Sequence, residues 1–152
     1  MPDTLTKVGI FSPGDMGSAT GKMLHDHGLQ VYGVLTGRSQ LTRERAARCG
    51  FIDAGDIDSL VREVDLILSI LVPSEATGIA SAVAAAMKRT GAHPTFADCN
   101  AIAPHTVEAI EREIRDAGGD FVDAGINEPV LGLLGSAENC LLALEVMREF
   151  AA

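Results

Sequence analysis

At 152 residues the chain holds one domain's worth of sequence, enough to bury a real core and too little for a second folding unit of comparable size. Its composition, 47% hydrophobic and 22% charged with 16 glycines, argues against disorder and suits a compact α/β protein; with 4% aromatic residues and no Trp, the core must be Ala, Val, Ile and Leu. The formal net charge of −9 repels nucleic acid and anionic lipid alike, so an anionic ligand has to find local positive potential at individual Arg residues and helix N-termini.

The predicted elements alternate from the start. Val8 to Phe11 reads as a buried strand within 7–12. Ser12-Pro13-Gly14-Asp15-Met16-Gly17 follows as a Gly-punctuated turn, and positions 16, 19, 20, 23, 24 and 27, apolar or small except for His27, form one helical stripe that stops at Gly28, a residue suited to a left-handed C′ position. A second strand is expected over 30–36. Ser39 is placed to cap a helix running to about Cys49, a short strand covers 51–53, and Asp56 caps a short helix through Val64. The run Asp65 to Val72 has almost no polar alternation, as in a central parallel strand covered on both faces. Ser74 is the expected cap of a helix ending before Gly91. A strand over 94–99 leads to a helix opened by Pro104, carrying Val107, Ile110, Ile114 and Ala117 and closed by Gly118-Gly119, and a last strand covers 120–124. Strands separated by helices imply right-handed crossovers and hence an open, doubly wound parallel sheet, α/β and Rossmann-type, in strand order 3-2-1-4-5-6. A ligand then belongs in the crevice at the carboxyl ends of strands 1 and 4.

The turn after the first strand is the main functional signal. Gly14 lets backbone approach a ligand, Gly17 lets the helix approach the strand, and the free N–H groups of the first helical turn face whatever anion sits there. The match to G-x-G-x-x-G is incomplete, because Ser12 stands where the first glycine belongs. The order strand, turn, helix, strand supports a dinucleotide site over an ordinary tight turn. Such a site normally continues with an acid at the end of the second strand that binds the adenosine ribose. Here that end reads Thr36-Gly37-Arg38-Ser39, with no carboxylate before Glu44. A guanidinium can fork onto a 2′-phosphate and a serine hydroxyl can take a further oxygen, so these residues favour NADP over NAD, with Arg43 in reserve. The alternative is a solvated Arg38 beside a capping Ser39. At the fourth strand's end, Leu71-Val72-Pro73 would lie over the ribose and nicotinamide half of the cofactor, or simply be a Pro-terminated strand. Asn100, in Asp98-Cys-Asn-Ala-Ile-Ala-Pro104, either enters the same crevice or caps its own turn.

Taken together, the Gly14 turn, Gly37-Arg38-Ser39, Leu71-Val72-Pro73 and the 98–104 loop resemble the NAD(P)-binding domain of β-hydroxyacid dehydrogenases. The likeness is greatest to the phosphogluconate-dehydrogenase-like branch, relatives of 6-phosphogluconate and 3-hydroxyisobutyrate dehydrogenase, over about Lys7 to Pro129. The resemblance implies that backbone after Gly14, with Ser12, Pro13, Asp15 and Met16, cradles the pyrophosphate. It also implies that Leu71, Val72, Pro73 and Ala76 flank the nicotinamide side, and that Asn100 stands near the nicotinamide ribose and the substrate, a small hydroxy acid. Phe121 to Ile126 matches the family strand leading toward the substrate pocket. The family follows this domain with a helical one that supplies a catalytic lysine. Here the chain ends at Ala152, and Lys7, Lys22 and Lys88 sit at no strand's carboxyl end. His105, Asn127 and Glu128 are the polar residues nearest the crevice, and no catalytic residue is assigned.

The expected organisation is therefore residues 1–129 as the NAD(P)-binding domain and 130–152 as a loop and an amphipathic helix capped by Ser136. That helix either packs on the domain or offers Leu141, Leu142, Leu144 and Met147 to a partner, a homodimer being one arrangement. The expected function is an NADP-binding oxidoreductase domain, incomplete for catalysis as a lone chain. The alternatives are a non-catalytic nucleotide-binding or regulatory module, and a structural subunit in which the glycine turn is vestigial. Cys49, Cys99 and Cys140 lie far apart with no metal-ligand spacing, which fits reduced thiols in a cytoplasmic protein and no metal site. Met1 to Lys7 has no apolar core of signal-peptide type, and Leu66 to Val72 is too short to span a bilayer.

Overall fold

Hydrophobic runs short enough for strands and interrupted by helical stripes fold as their order demands. The computed structural model describes residues 5–11 and 14–124 in full, and the backbone of 125–127 and 130–133. In chain order the elements are β1 (Lys7–Phe11), α1 (Asp15–Asp26), β2 (Gln30–Gly33), α2 (Gln40–Arg48), β3 (Phe51–Asp53), α3 (Ile57–Glu63) and β4 (Leu66–Ser69). They continue with α4 (Pro73–Thr90), β5 (Thr95–Asp98), α5 (Pro104–Asp116), β6 (Phe121–Asn127) and β7 (Val130–Leu133). The sheet runs β3-β2-β1-β4-β5-β6-β7. Its first six strands are parallel and in the expected order. β7, absent from the sequence expectation, pairs antiparallel to β6, with Ala124 opposite Leu133. It occupies the start of the expected loop, and the whole of the expected C-terminal helix, from Ser136, lies outside the described residues.

Two cores hold the layers. On one face, Leu24 of α1 and Ala46 of α2 pack on Val8, Ile10, Val31, Leu68 and Val122. On the other, α3, α4 and α5 bring Leu60, Ala80, Val83, Met87, Ile110 and Ile114 against Ile67, Phe96 and Phe121. All four residues of β4 are buried, as its unbroken apolar run requires. The Phe96 and Phe121 rings stack at 6.3 Å between centroids, adding area that aliphatic side chains of similar length do not.

Helix ends follow local chemistry. Asp56 Oδ1 accepts from the Ser59 N–H at 2.7 Å, and Ser39 Oγ accepts from the Thr42 N–H at 3.2 Å, both as expected of N-caps. Ser74 does not cap α4. The helix begins two residues earlier than that cap implies, with Pro73 as its first residue and Val72 at the cap position without a side-chain bond. Proline supplies a pre-set φ and has no N–H to satisfy, so it displaces the serine from that role. α1 ends on Gly28 at φ 91°, the left-handed residue the sequence indicates.

β2 and β4 stop short of their expected ends. β2 is last paired at Gly33, opposite Asp53, and β4 at Ser69, opposite Asp98. The apolar residues beyond, Leu35 and Ile70, leave the ladder but stay buried in the core on the α1–α2 face. Gly21, on the buried side of α1, is a second close-approach glycine that the fingerprint does not single out: a Cβ there would lie 2.3 Å from the Phe51 ring.

Candidate functional site at the strand carboxyl ends

From β1 the chain crosses to β2 on one side, and from β3 it returns to β4 on the other, so the strand order reverses between β1 and β4. That switch point opens a crevice above the carboxyl ends of these strands. The start of α1 faces it. Gly14 occupies the N-cap position with φ −69° and ψ −165°, and no side chain caps the helix. The first helical bond runs from the Ser18 N–H to the Gly14 carbonyl at 2.9 Å. The N–H groups of Asp15, Met16 and Gly17 precede it, and among the described residues none of them has an acceptor. Open donors at the positive end of a 12-residue helix form an anion site. Ser12 and Pro13 lie outside the described residues.

At the end of β2 the chain turns through Gly37 at φ 77°, with the Arg38 N–H donating to the Leu35 carbonyl at 3.1 Å. The turn is tied to the end of β3: Asp53 Oδ1 accepts from the N–H groups of Leu35 (3.2 Å) and Gly55 (2.9 Å), and Thr36 Oγ1 donates to the Gly55 carbonyl. Asp53 is thereby occupied inside the loop. Arg38 is exposed, and among the described residues it has no ion-pair partner; the same holds for Arg43. Ser39 is less free. Its hydroxyl accepts from the Thr42 N–H and donates to Thr42 Oγ1 at 3.0 Å. In a chain whose net charge is −9, Arg38 and Arg43 are thus the cations at this end with no ion-pair partner among the described residues, whereas Arg45 is paired with Asp15.

The β4–β5 rim is built differently. Ser69, Asp98 and Asp123 stand in register across β4, β5 and β6. Asn100 Oδ1 accepts from the Leu71 N–H at 2.6 Å, and its Nδ2 donates to Ser69 Oγ at 3.1 Å. The loop after β4 is thus clasped to the loop after β5. The Asx-type bond expected of Asn100 belongs instead to Asp98, whose Oδ1 accepts from the Asn100 N–H at 2.8 Å. Asp98 is 1% exposed, and its Oδ2 is a buried oxygen without a hydrogen-bond partner among the described residues. Burial raises its pKa, the Asn100 bonds oppose that shift, and the Asp123 charge adds to it. Burial also raises Asp123, with Glu111 adding to the effect, and pushes the Cys99 thiol up to about 12, so Cys99 is an inert thiol.

The apolar residues assigned to this end divide by exposure. Ala76 is buried in the first turn of α4, Leu71 is half-buried, and Val72 and Pro73 are exposed; Met16 is exposed at the start of α1. Lys7 pairs with Glu63 and Lys22 with Asp26, while Lys88 lies in the last turn of α4, so no lysine reaches the crevice. His105 is exposed in the first turn of α5. Glu128 and the Asn127 side chain lie outside the description. Among the described residues no cluster of His, Cys, Asp or Glu is arranged to hold a metal, and no helix is long and apolar enough to cross a membrane.

Two features escape sequence reasoning. The Asn100 clasp joins residues 29 and 31 positions apart; its only trace in the sequence is a polar residue ending each of two apolar strands. Arg45 Nη1 lies 3.0 Å from Asp15 Oδ1, joining α2 to the glycine turn. No local pattern announces that pair.

Residues 7–139 match the sequence model of a family described as the NAD binding domain of 6-phosphogluconate dehydrogenase. No curated protein matches the chain significantly. Among solved structures, a conserved protein of unknown function, described as structurally similar to 3-hydroxyacid dehydrogenases, shares 28% identity at a TM-score of 0.67. The match covers 87% of this chain and 45% of that one. The 3-hydroxyisobutyrate dehydrogenase of Mycobacterium tuberculosis, solved with L-serine, aligns at a TM-score of 0.79 and 19% identity over 97% of this chain and 52% of its own. An imine reductase variant from Myxococcus stipitatus, in complex with NAD+, aligns at 0.74 and 18% over 97% and 52%. The chain spans about half the length of these structures.

Proposed function

The chain belongs to the family of the NAD binding domain of 6-phosphogluconate dehydrogenase, and from that premise we propose that it holds NADP for hydride transfer to or from a small hydroxy acid. The observation that carries this reading is the uncapped start of α1 at the sheet's switch point, with Arg38, unpaired among the described residues, at the end of β2.

In this reading the N–H groups of Asp15, Met16 and Gly17 bind the diphosphate, as helix N-termini do. Arg38 takes the adenosine 2′-phosphate in a two-pronged grip, and no acid at the end of β2 competes for the ribose. Ser39 supports it through the helix it caps: the N–H groups of Gln40 and Leu41, which have no partner among the described residues, head α2 beside Arg38. Val72 and Pro73, held in place by the Leu71–Asn100 bond, form the apolar wall over the nicotinamide half. Bound NADP supplies or accepts the hydride; this chain's residues orient it and keep water from one side. Asn100 acts by fixing that wall, since both ends of its amide already bond within the protein. No described residue is assigned the transfer of the substrate hydroxyl proton: Asp98 is buried with one oxygen on the Asn100 N–H, and Asp123 is half-buried in β6.

The test is a fluorescence titration with NADPH and NADH. Both bind the wild-type chain, and Arg38→Ala weakens NADPH roughly ten- to a hundredfold, the scale of a hydrogen bond to a charged group, while NADH changes little. No binding of either at millimolar cofactor refutes the dinucleotide reading. Equal losses for the two refute the role given to Arg38.

A further inference from the structure

Asp15 creates a difficulty for any ligand with a diphosphate. It is the first residue of α1, and its own N–H heads the row of open donors, so its carboxylate hangs one short side chain from where two negative phosphates would sit. The side chain is 97% exposed and makes no capping bond. Left alone, it would offset the positive helix end that the site depends on. It is not left alone: Arg45, in the last turn of α2, reaches it at 3.0 Å, with the Arg45 side chain only 35% exposed. An exposed pair of this kind contributes little to folding. Its location, between the phosphate turn and the helix that follows Arg38, gives it a different use.

We propose that Arg45 is a positioning residue for the cofactor site: it holds the Asp15 carboxylate and cancels its charge, so that the start of α1 accepts a diphosphate. This rests on the dinucleotide reading above and deepens it. Arg38 distinguishes one dinucleotide from the other. Arg45 acts on the part they share, and it acts through Asp15 without touching the ligand.

The experiment compares the full chain with Arg45→Ala, Arg45→Lys, Asp15→Asn and the Arg45→Ala/Asp15→Asn double variant. Each is titrated with NADH and NADPH at low and high salt, with melting temperature as the check on folding. Arg45→Ala weakens both dinucleotides by the same factor, roughly fivefold at low salt, and the deficit shrinks at high salt as the exposed charge is screened. Arg45→Lys keeps most of the affinity. Adding Asp15→Asn to Arg45→Ala restores binding to near the wild-type level, which a purely structural role for Arg45 would not allow. The proposal is overturned by an Arg45→Ala variant that binds normally, by a loss that Asp15→Asn does not restore, or by a loss confined to NADPH. A wild-type chain that binds neither dinucleotide overturns this proposal together with the reading it rests on; normal wild-type binding with an indifferent Arg45→Ala overturns this one alone.

Discussion

The two rims of the crevice are made of similar residues put to opposite uses. On the β1–β2 rim, backbone donors at the start of α1 and the guanidinium of Arg38 have no protein partner among the described residues. On the β4–β5 rim, Ser69, Asp98 and Asn100 bond one another and the Leu71 backbone. Polar groups on a crevice wall therefore do not all recognise a ligand. Those already satisfied by the protein set the shape of the wall, and only the unsatisfied ones can exchange water for a ligand without breaking something. Substitutions on the first rim should alter affinity with little effect on stability, and those on the second should do the reverse.

The largest effect is expected on the second rim. Asn100→Ala removes two hydrogen bonds and leaves the Leu71 N–H and the fully buried Ser69 hydroxyl unpaired. The cost should be about 2 to 4 kcal/mol of unfolding free energy, read from chemical denaturation. Full stability with lost cofactor affinity would break the contrast between the rims and return Asn100 to the direct role that the family resemblance implies.

Next in size is Gly14→Ala on the first rim. With φ at −69°, the Gly14 backbone is one that alanine adopts freely. A glycine is needed there only if a ligand approaches its Cα closely. Unfolding free energy should stay within about 1 kcal/mol of wild type, while dinucleotide affinity falls roughly tenfold or more. A variant that binds normally would show that the turn holds no ligand.

The first rim was far more legible in the sequence than the second. The glycine turn, its helix and the Arg38 end lie within the first 39 residues, and each depends on local rules: φ preference, capping and the order of strand, turn and helix. The parallel sheet order followed from alternation and crossover handedness. What stayed hidden depends on register between distant segments. Ser69, Asp98 and Asp123 become neighbours only once β4, β5 and β6 are paired, and Arg45 meets Asp15 only once α1 and α2 pack on the same face of the sheet. The error at Ser74 was local, since a serine cap and a first-turn proline compete for the same helix start, and proline won.

A smaller effect sharpens the contrast through pH. Burial raises the Asp98 pKa, so the folded chain keeps that proton to higher pH than the unfolded chain does. The contribution of Asp98 to stability is then greatest below the ordinary aspartate range, about 3.9, and declines as pH rises through it toward the raised value. Asp123 titrates in the same sense beside Glu111, so the comparison must be made with both of these left intact. Asp98→Asn keeps an acceptor for the Asn100 N–H and removes the titration. Its unfolding free energy, measured across the acid range, should fall less with rising pH than that of the wild type. An unchanged slope would mean that folding does not shift the Asp98 carboxyl, and burial would then not govern its titration.

The smallest effect tests the one first-rim side chain whose bonds resemble those of the second. Ser39 Oγ accepts from the Thr42 N–H and donates to Thr42 Oγ1, so its lone pair and its hydrogen are both engaged. A 2′-phosphate could take that hydrogen only by displacing Thr42. Ser39→Ala should therefore behave as the loss of a helix cap, costing about 1 kcal/mol of stability. The ratio of NADPH to NADH affinity should shift much less than it does for Arg38→Ala, because the guanidinium has no partner among the described residues to give up. Were Ser39→Ala to shift that ratio as far as Arg38→Ala, the hydroxyl would have to leave its cap when the ligand arrives. In that case internal bonding would not identify which groups recognise the ligand and which only hold the wall.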